Sequence, residues 1–324
     1  MLTSISKIFK KVILSLNNHI TATNLICKQQ SGFIKNLSTT HNHIIFNHFC
    51  HQALHNKHEV HSIMFDFKRA FDKVNHELLI LKLASYGFHV NYLTLISNYL
   101  KDRFQFTVYN NYNSKLLPCA SGVPQGSLLG PLLFILFIND LASTLTCNCL
   151  LFADDLKIYA TIKKDTYCTD TSELQNNIDK VIDWSNNCLL PINYNKCNVM
   201  KIGNNKTKHD SSKLVSYCIN TIPIKEENVV SDLSIKINSE LNYKSHYQDI
   251  ISKANKGTFM LNRSFKFSDT KIKLKLFNTF ILPILSYASP VWNPYMANDS
   301  NKLEHVLWKA TKLFLGYHNL SYKQ

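Results

Sequence analysis

No acidic residue precedes Glu59, so residues 1–58 carry Lys7, Lys10, Lys11, Lys28, Lys35 and Lys57 without opposing side-chain charge. Over all 324 residues the net charge is +14. That balance argues against basic partners and suits a polyanion, although a lysine-rich solvated surface gives the same count. No two cysteines form a C-x-x-C pair, and their total of nine is odd. Neither a zinc finger nor a disulfide framework is indicated, and a reducing compartment fits. The longest strongly apolar run, residues 128–138, is far shorter than the roughly 20 residues of a membrane span. There is no internal repeat, which sets solenoids aside. Glycine is scarce, with eight in the chain. At 45% apolar residues, what remains is a globular chain able to build two or three subdomains.

Three segments carry chemistry. Residues Leu150–Tyr159 set Asp154 and Asp155 between short apolar, β-prone runs, the pattern of a hairpin with acids at its tip. Adjacent carboxylates repel, a cation relieves the repulsion, and hard ions such as Mg²⁺ select carboxylate oxygen. An Asp-Asp turn pair without metal reads the same way. Upstream, Ser62–Phe67 is a strand candidate interrupted by Asp66, which either meets the hairpin tip across a sheet or caps the segment after it. Acids converging from separate strands are what two-metal nucleotidyl transfer requires, with ions about 3.5–4 Å apart. The third segment is Ala120–Phe134, where three of the eight glycines fall within residues 122–130. The backbone there needs unusual dihedrals or close approach by a ligand. This loop opens into an apolar helix expected over 131–141, a seat for a nucleotide or template backbone.

In this order, Phe65–His76 (FDFKRAFDKVNH), Ser121–Pro131 (SGVPQGSLLGP) and Phe152–Asp155 (FADD) resemble the reverse transcriptases of non-LTR retrotransposons, the jockey-like and related LINE-type elements. Gln30–Phe33, Ser38–Thr40, Asn193–Met200, Tyr287–Trp292 and Lys309–Leu313 extend the resemblance over nearly the whole chain. It implies an α+β chain with a right-hand polymerase fold. Fingers and palm would occupy residues 1–205, the end of the palm 206–245, and a helical thumb with the start of a C-terminal region 246–324. The implied activity is RNA-directed DNA polymerisation with two Mg²⁺ ions, or Mn²⁺ in their place, held by Asp66 and Asp154 with Asp155 in support. By the same resemblance Phe71 lies under the incoming sugar and excludes a 2′-hydroxyl, with a plain core Phe as the alternative. Gln125 and Gly126 approach the nucleotide, Arg69 and Lys35 join the substrate-binding residues, and Lys196 donates a proton near the leaving pyrophosphate unless it is a surface lysine. Implied partners are an RNA template, a DNA primer and deoxynucleoside triphosphates, with no membrane, in the nucleus or cytoplasm and not secreted.

The chain departs from the family pattern in places. Ile34 stands where Arg is common on the triphosphate side, with Lys35 a partial substitute, and Leu233-Ser234 stands where Leu-Gly is usual. The chain also begins inside the fingers, so an N-terminally truncated element is expected, either active or a catalytically decayed remnant that binds nucleic acid. A nucleotide cyclase would explain the acids but not Pro124-Gln125-Gly126, and a group II intron enzyme would bring a maturase extension.

Local patterns fill in the rest. Ile5, Ile8, Phe9, Val12, Ile13 and Leu16 predict an amphipathic helix of the fingers, with a mitochondrial presequence as a weaker reading because arginine is absent. Ser38-Thr39-Thr40 can cap a helix carrying His48, His51 and His55, followed by His58, facing nucleic acid or, with Cys50, zinc. Further helices are predicted over 77–86, 92–100, 172–187, 246–256, 270–280 and 302–315, and strands over 104–109, 197–202, 215–219 and 234–237. Asn110-Asn111 would turn the first of these strands back, and 206–212 reads as a boundary loop.

Overall fold

A computed structural model of the protein describes residues 23–127, 129–203 and 215–315, together with 16, 18 and 20. The amphipathic segment Ile5–Ile13 and the loop at 206–212 lie outside the described residues. Contacts divide the chain into two compact units, residues 1–42 with 50–227 and residues 43–49 with 228–324.

In the first unit the elements run in order: the ends of helix α1 (Thr39–His55), β1 (Glu59–Phe65), α2 (Ala70–Lys73), α3 (His76–Ser85) and α4 (Val90–Leu100). An outlying hairpin follows, β2 (Phe104–Gln105), β3 (Val108–Tyr109), β4 (Tyr112–Asn113) and β5 (Leu117–Pro118). Then come α5 (Leu129–Ile138), α6 (Leu141–Thr144), β6 (Asn148–Phe152), β7 (Asp155–Ile162), α7 (Tyr167–Asn187) and β8 (Asn198–Ile202). The unit closes with β9 (Cys218–Ile219), β10 (Ile222–Pro223) and β11 (Lys225–Glu226). The main sheet has the order β11-β8-β1-β7-β6, and β1 pairs antiparallel with both β7 and β8.

Strand β1 takes the centre because six of its seven residues are buried, so both of its faces need cover. Two of its polar members satisfy each other and a neighbour: His61 Nδ1 lies 2.7 Å from the Tyr217 hydroxyl and Nε2 3.2 Å from Glu59 Oε2. Burial is the first cause of the lowered His61 pKa, so the imidazole stays neutral at ordinary pH. Helix α5 is apolar all round and buries nine of its ten residues, as a core helix must. It ends at Ile138, short of the expected Leu141, because the Asn139 side chain leaves the helix. Its Oδ1 accepts from Cys27 N at 2.8 Å and its Nδ2 donates to Leu25 O at 2.9 Å. Burial pushes the thiols of Cys50 and Cys149 up to about 12 and those of Cys147 and Cys197 to about 11, so these cysteines act as packing groups.

Helix α7 begins at Tyr167, five residues before the expected cap at Ser172. Thr171 and Ser172 bond back to the carbonyls of Tyr167 and Cys168 at 2.7 Å, so they sit comfortably inside the helix. Asp170 instead ties the preceding turn onto the helix, accepting from Lys163 N and Thr166 Oγ1, both at 2.8 Å.

The second unit comprises residues 43–49 of α1, the hairpin β12 (Val229–Asp232) and β13 (Ile235–Asn238), α8 (Lys244–Ser264), α9 (Thr270–Phe280), α10 (Leu282–Ser286), α11 (Ser289–Trp292) and α12 (Ala297–Leu315). Its core joins Ala254, Leu261, Phe277, Ile281, Val306, Ala310 and Phe314. Helix α8 runs past its expected end because Gly257 leaves room for Ile281 Cδ1 and Leu261 adds another buried turn. Trp292, 2% exposed, is fixed from both sides. Its Nε1 donates to Tyr287 O at 2.7 Å and its carbonyl accepts from the Tyr247 hydroxyl at 2.8 Å. Among the described residues no helix is long and apolar enough to cross a membrane.

Candidate active site

Strands β6 and β7 form a hairpin in which Phe152 pairs with Asp155, leaving Ala153 and Asp154 as a two-residue tip. Because Phe65 of β1 pairs with Leu156 of β7, the tip lies beyond the end of β1, on the side where Asp66 follows. The half-buried Asp154 carboxyl is held above the ordinary range, first by burial and also by the charge of Asp66. Asp66 is anchored by a neighbouring loop: its carbonyl accepts from Asn193 N at 2.7 Å and its Oδ2 from Asn193 Nδ2 at 2.9 Å. Lys196 Nζ lies 3.6 Å from the same Oδ2. Asp155 is exposed on the first residue of β7. Among the described residues no three His, Cys, Asp or Glu side chains converge as a closed metal cage. The geometry therefore centres on Asp66 and Asp154, and the expected tight cluster of three carboxylates is not closed. The Asp66 charge beside Asp154 still fits a divalent cation, since the ion's charge removes the repulsion between the two carboxylates.

The glycine-containing loop lies against the chain that follows Asp66. Val123 N donates to Phe71 O at 2.8 Å, Gly122 N to Val74 O at 2.8 Å, and Ser121 Oγ to Asp72 O at 2.9 Å. A side chain at Gly122 would collide with the Asp72 backbone, and its φ of +87° is left-handed, so both reasons for glycine apply there. Gly126, at φ +75°, faces open space. Exposed Gln125 donates through Nε2 to Asp72 Oδ1 at 2.8 Å. The loop, Arg69, Asp72, Lys73 and Arg103 enclose a polar cavity of ≈ 550 Å³. Arg69 itself is exposed and left-handed, at φ +49°.

Phe71 is half-buried, its ring stacked on Phe134 at 4.3 Å and met edge-on by Phe33 at 6.2 Å. Lys35 is exposed, whereas Ile34 packs on the apolar core. Within α1, His48, His51 and His55 are all exposed at i, i+3 and i+7, whereas His43 is fully buried. Two groups were not singled out from sequence, the Asn193 side chain on Asp66 and the Gln30 side chain on the hairpin tip. Asn193 lies in a motif segment three residues before Lys196, which was the available signal. Gln30 opens another such segment.

A family model described as reverse transcriptase (RNA-dependent DNA polymerase) matches residues 1–226. Among curated relatives, the RNA-directed DNA polymerase from mobile element jockey of Drosophila melanogaster is 25% identical over 98% of this chain and 35% of the relative. The probable RNA-directed DNA polymerase from transposon BS of the same fly is 26% identical over 96% of this chain and 35% of the relative. The chain thus spans about a third of the length of these relatives. Among solved structures, telomerase from Candida tropicalis in complex with a fragment of telomeric RNA superposes with a TM-score of 0.50 at 13% identity, covering 96% of this chain and 51% of that one. That likeness concerns the fold, which is the mixed helix-and-sheet right-hand polymerase fold. With its Asp66 and Asp154 brought to one end of a five-stranded sheet and the family model covering most of its length, this chain belongs to the reverse transcriptase family.

Proposed function

We propose that the chain is the polymerase segment of a non-LTR retrotransposon protein, adding deoxynucleotides to a DNA primer on an RNA template. The observation that carries this reading is the strand register that sets Asp66, just past the end of β1, beside the β6–β7 tip bearing Asp154. Family enzymes work with divalent ions. Here Asp66 and Asp154 would hold two Mg²⁺, or Mn²⁺, with Asp155 supporting, and the ions would stabilise the attacking 3′ oxygen and the leaving phosphate. Asn193 keeps the Asp66 carboxylate oriented. Lys196, close to Asp66 and solvent-exposed, would give a proton to pyrophosphate. Phe71 presents a half-buried ring beside Asp72 and the glycine loop, where it would meet an incoming sugar. Gln125, Gly126, Arg69 and Lys35 line the approach for the nucleotide.

In this proposal residues 1–205 supply fingers and palm, 206–245 the end of the palm, and 246–324 the thumb. Supporting a backbone grip by the thumb, residues 244–280 hold Lys244, Lys253, Lys256, Arg263, Lys266, Lys271, Lys273 and Lys275 against Asp249 and Asp269. The working compartment is then the nucleus or cytoplasm. Primer extension on an RNA template with Mg²⁺, using the purified chain and Asp154→Ala as control, tests the reading. Template-dependent extension lost in the control is expected; equal extension by both would overturn it. The packing of Ile34 on the core, where an arginine would reach toward a triphosphate, favours weak nucleotide capture over a lost reaction centre.

A further inference from the structure

The tip of the aspartate hairpin is held in a conformation its own sequence does not favour. Ala153 has φ +56°, in the left-handed region, and is 5% exposed. An L-residue with a Cβ pays about 1–2 kcal/mol there, and such a residue persists only where its surroundings over-determine it. The surroundings come from residues 29–32. Their backbone runs parallel to β6: Leu151 N donates to Gln29 O and Ser31 N to Leu151 O, both at 2.9 Å. The Gln30 side chain, on a residue 2% exposed, then wraps the tip. Its Oε1 accepts from Ala153 N at 2.9 Å and from Gly32 N at 2.8 Å, and its Nε2 donates to Ala153 O at 3.4 Å. Gly32 has no room for a side chain, because a Cβ there would strike Ala153 N.

We infer that Gln30 is a positioning residue for the reaction centre: it clamps both polar groups of Ala153 and so fixes where the next residue, Asp154, presents its carboxylate to Asp66. This rests on the proposed metal-dependent polymerase function. Without Gln30, two buried N–H groups lose their acceptor, and the left-handed tip loses the bonds that offset its strain. Asp154 has no other route to its place, since the tip contains only these two residues. Groups that orient metal ligands from outside the ligand set typically contribute about 10–100-fold in metal affinity.

The test uses the whole chain and two readouts, Mn²⁺ affinity measured with the metal alone and residue-resolved amide exchange. Gln30→Met, close in volume but without hydrogen bonds, is expected to weaken Mn²⁺ binding by about tenfold and to speed exchange at Ala153 by about tenfold. Gln30→Glu keeps the acceptor and is expected to retain slow exchange at Ala153. Phe33→Ala, in the same segment but touching Phe71 and not the tip, should leave both readouts within about twofold, which separates the clamp from general loosening. Wild-type exchange and Mn²⁺ affinity in Gln30→Met would overturn the inference. So would fast Ala153 exchange in Gln30→Glu, including where Gln30→Met fails to fold. If the wild-type chain binds no Mn²⁺ while Gln30→Met still loses protection at Ala153, the polymerase reading fails and the clamp stands.

Discussion

Two hairpins of the first unit have the same plan and opposite circumstances. In one, Ala153-Asp154 turns between paired Phe152 and Asp155; in the other, Asn110-Asn111 turns between paired Tyr109 and Tyr112. Both tips are left-handed, at φ +56° for Ala153 and +47° and +65° for the asparagines. Asparagine tolerates that geometry, and two such residues suit a type I′ turn. Its hairpin accordingly stands with every residue from 104 to 118 exposed. Alanine does not tolerate it, and its hairpin is buried and clamped. A turn held by its own residues can be built anywhere, whereas one held by contacts is a place where position has been specified from outside.

The sharpest way to separate the hairpins is to remove what each presents at its tip. Asp154→Ala is expected to lower primer extension by roughly 10³-fold, while Asn111→Ala should leave it near wild type. Stability should move the other way. The Asp154 carboxyl titrates above its ordinary value in the fold, so the fold favours the protonated form, and stability is lost as pH rises from the unfolded value through the folded one. Asp154→Asn is therefore expected to raise Tm at neutral pH and to flatten that loss, measured by thermal melts across pH. In the wild type, Mn²⁺ binding should weaken as pH falls through the raised value, since proton and metal compete for one oxygen set.

A third hairpin sharpens the rule. In the second unit Leu233-Ser234 turns β12 into β13 at φ +41° and +69°, in the place where the family usually has Leu-Gly. Ser234→Gly should stabilise the chain by about 1 kcal/mol in denaturant melts, because the strain there is relieved by conformational freedom. The smallest effects belong to the exposed hairpin. Tyr109 and Tyr112 are 76% and 81% exposed, so Tyr109→Ala and Tyr112→Ala should each change stability by no more than about 0.5 kcal/mol. A larger loss on chemical unfolding would mean that this hairpin, too, is held from outside.

The same contrast explains what could be read from sequence. Features encoded within a few residues were legible: the Asn110-Asn111 turn, the acids at the tip of β6 and β7, the apolar helix after the glycine loop and the Ser38 cap of α1. Features set by distant partners were not. The start of α7 depended on Asp170 holding the preceding turn through Lys163 N and Thr166 Oγ1, and the end of α5 on Asn139 reaching Cys27 and Leu25. At the site, the Asp66 and Asp154 positions followed from strand ends, but their supports, Asn193 and Gln30, are amides whose value comes from what the fold brings to them. Nothing local marks a glutamine as a clamp.

The division of helix α1 bears on how the chain is made. Residues 43–49 belong to the second unit although the rest of that unit begins at Asn228. His43, fully buried, faces Asp232 at 3.5 Å, and Asn47 bonds the Tyr243 hydroxyl. During synthesis the middle of α1 precedes its partners in the second unit and must wait, its apolar and imidazole groups uncovered, until residues 228 onward have been made. Closure of the second unit is then a late, long-range step, slowed by the entropy of bringing distant segments together. A nascent chain paused before Asn228 would be vulnerable at the middle of α1.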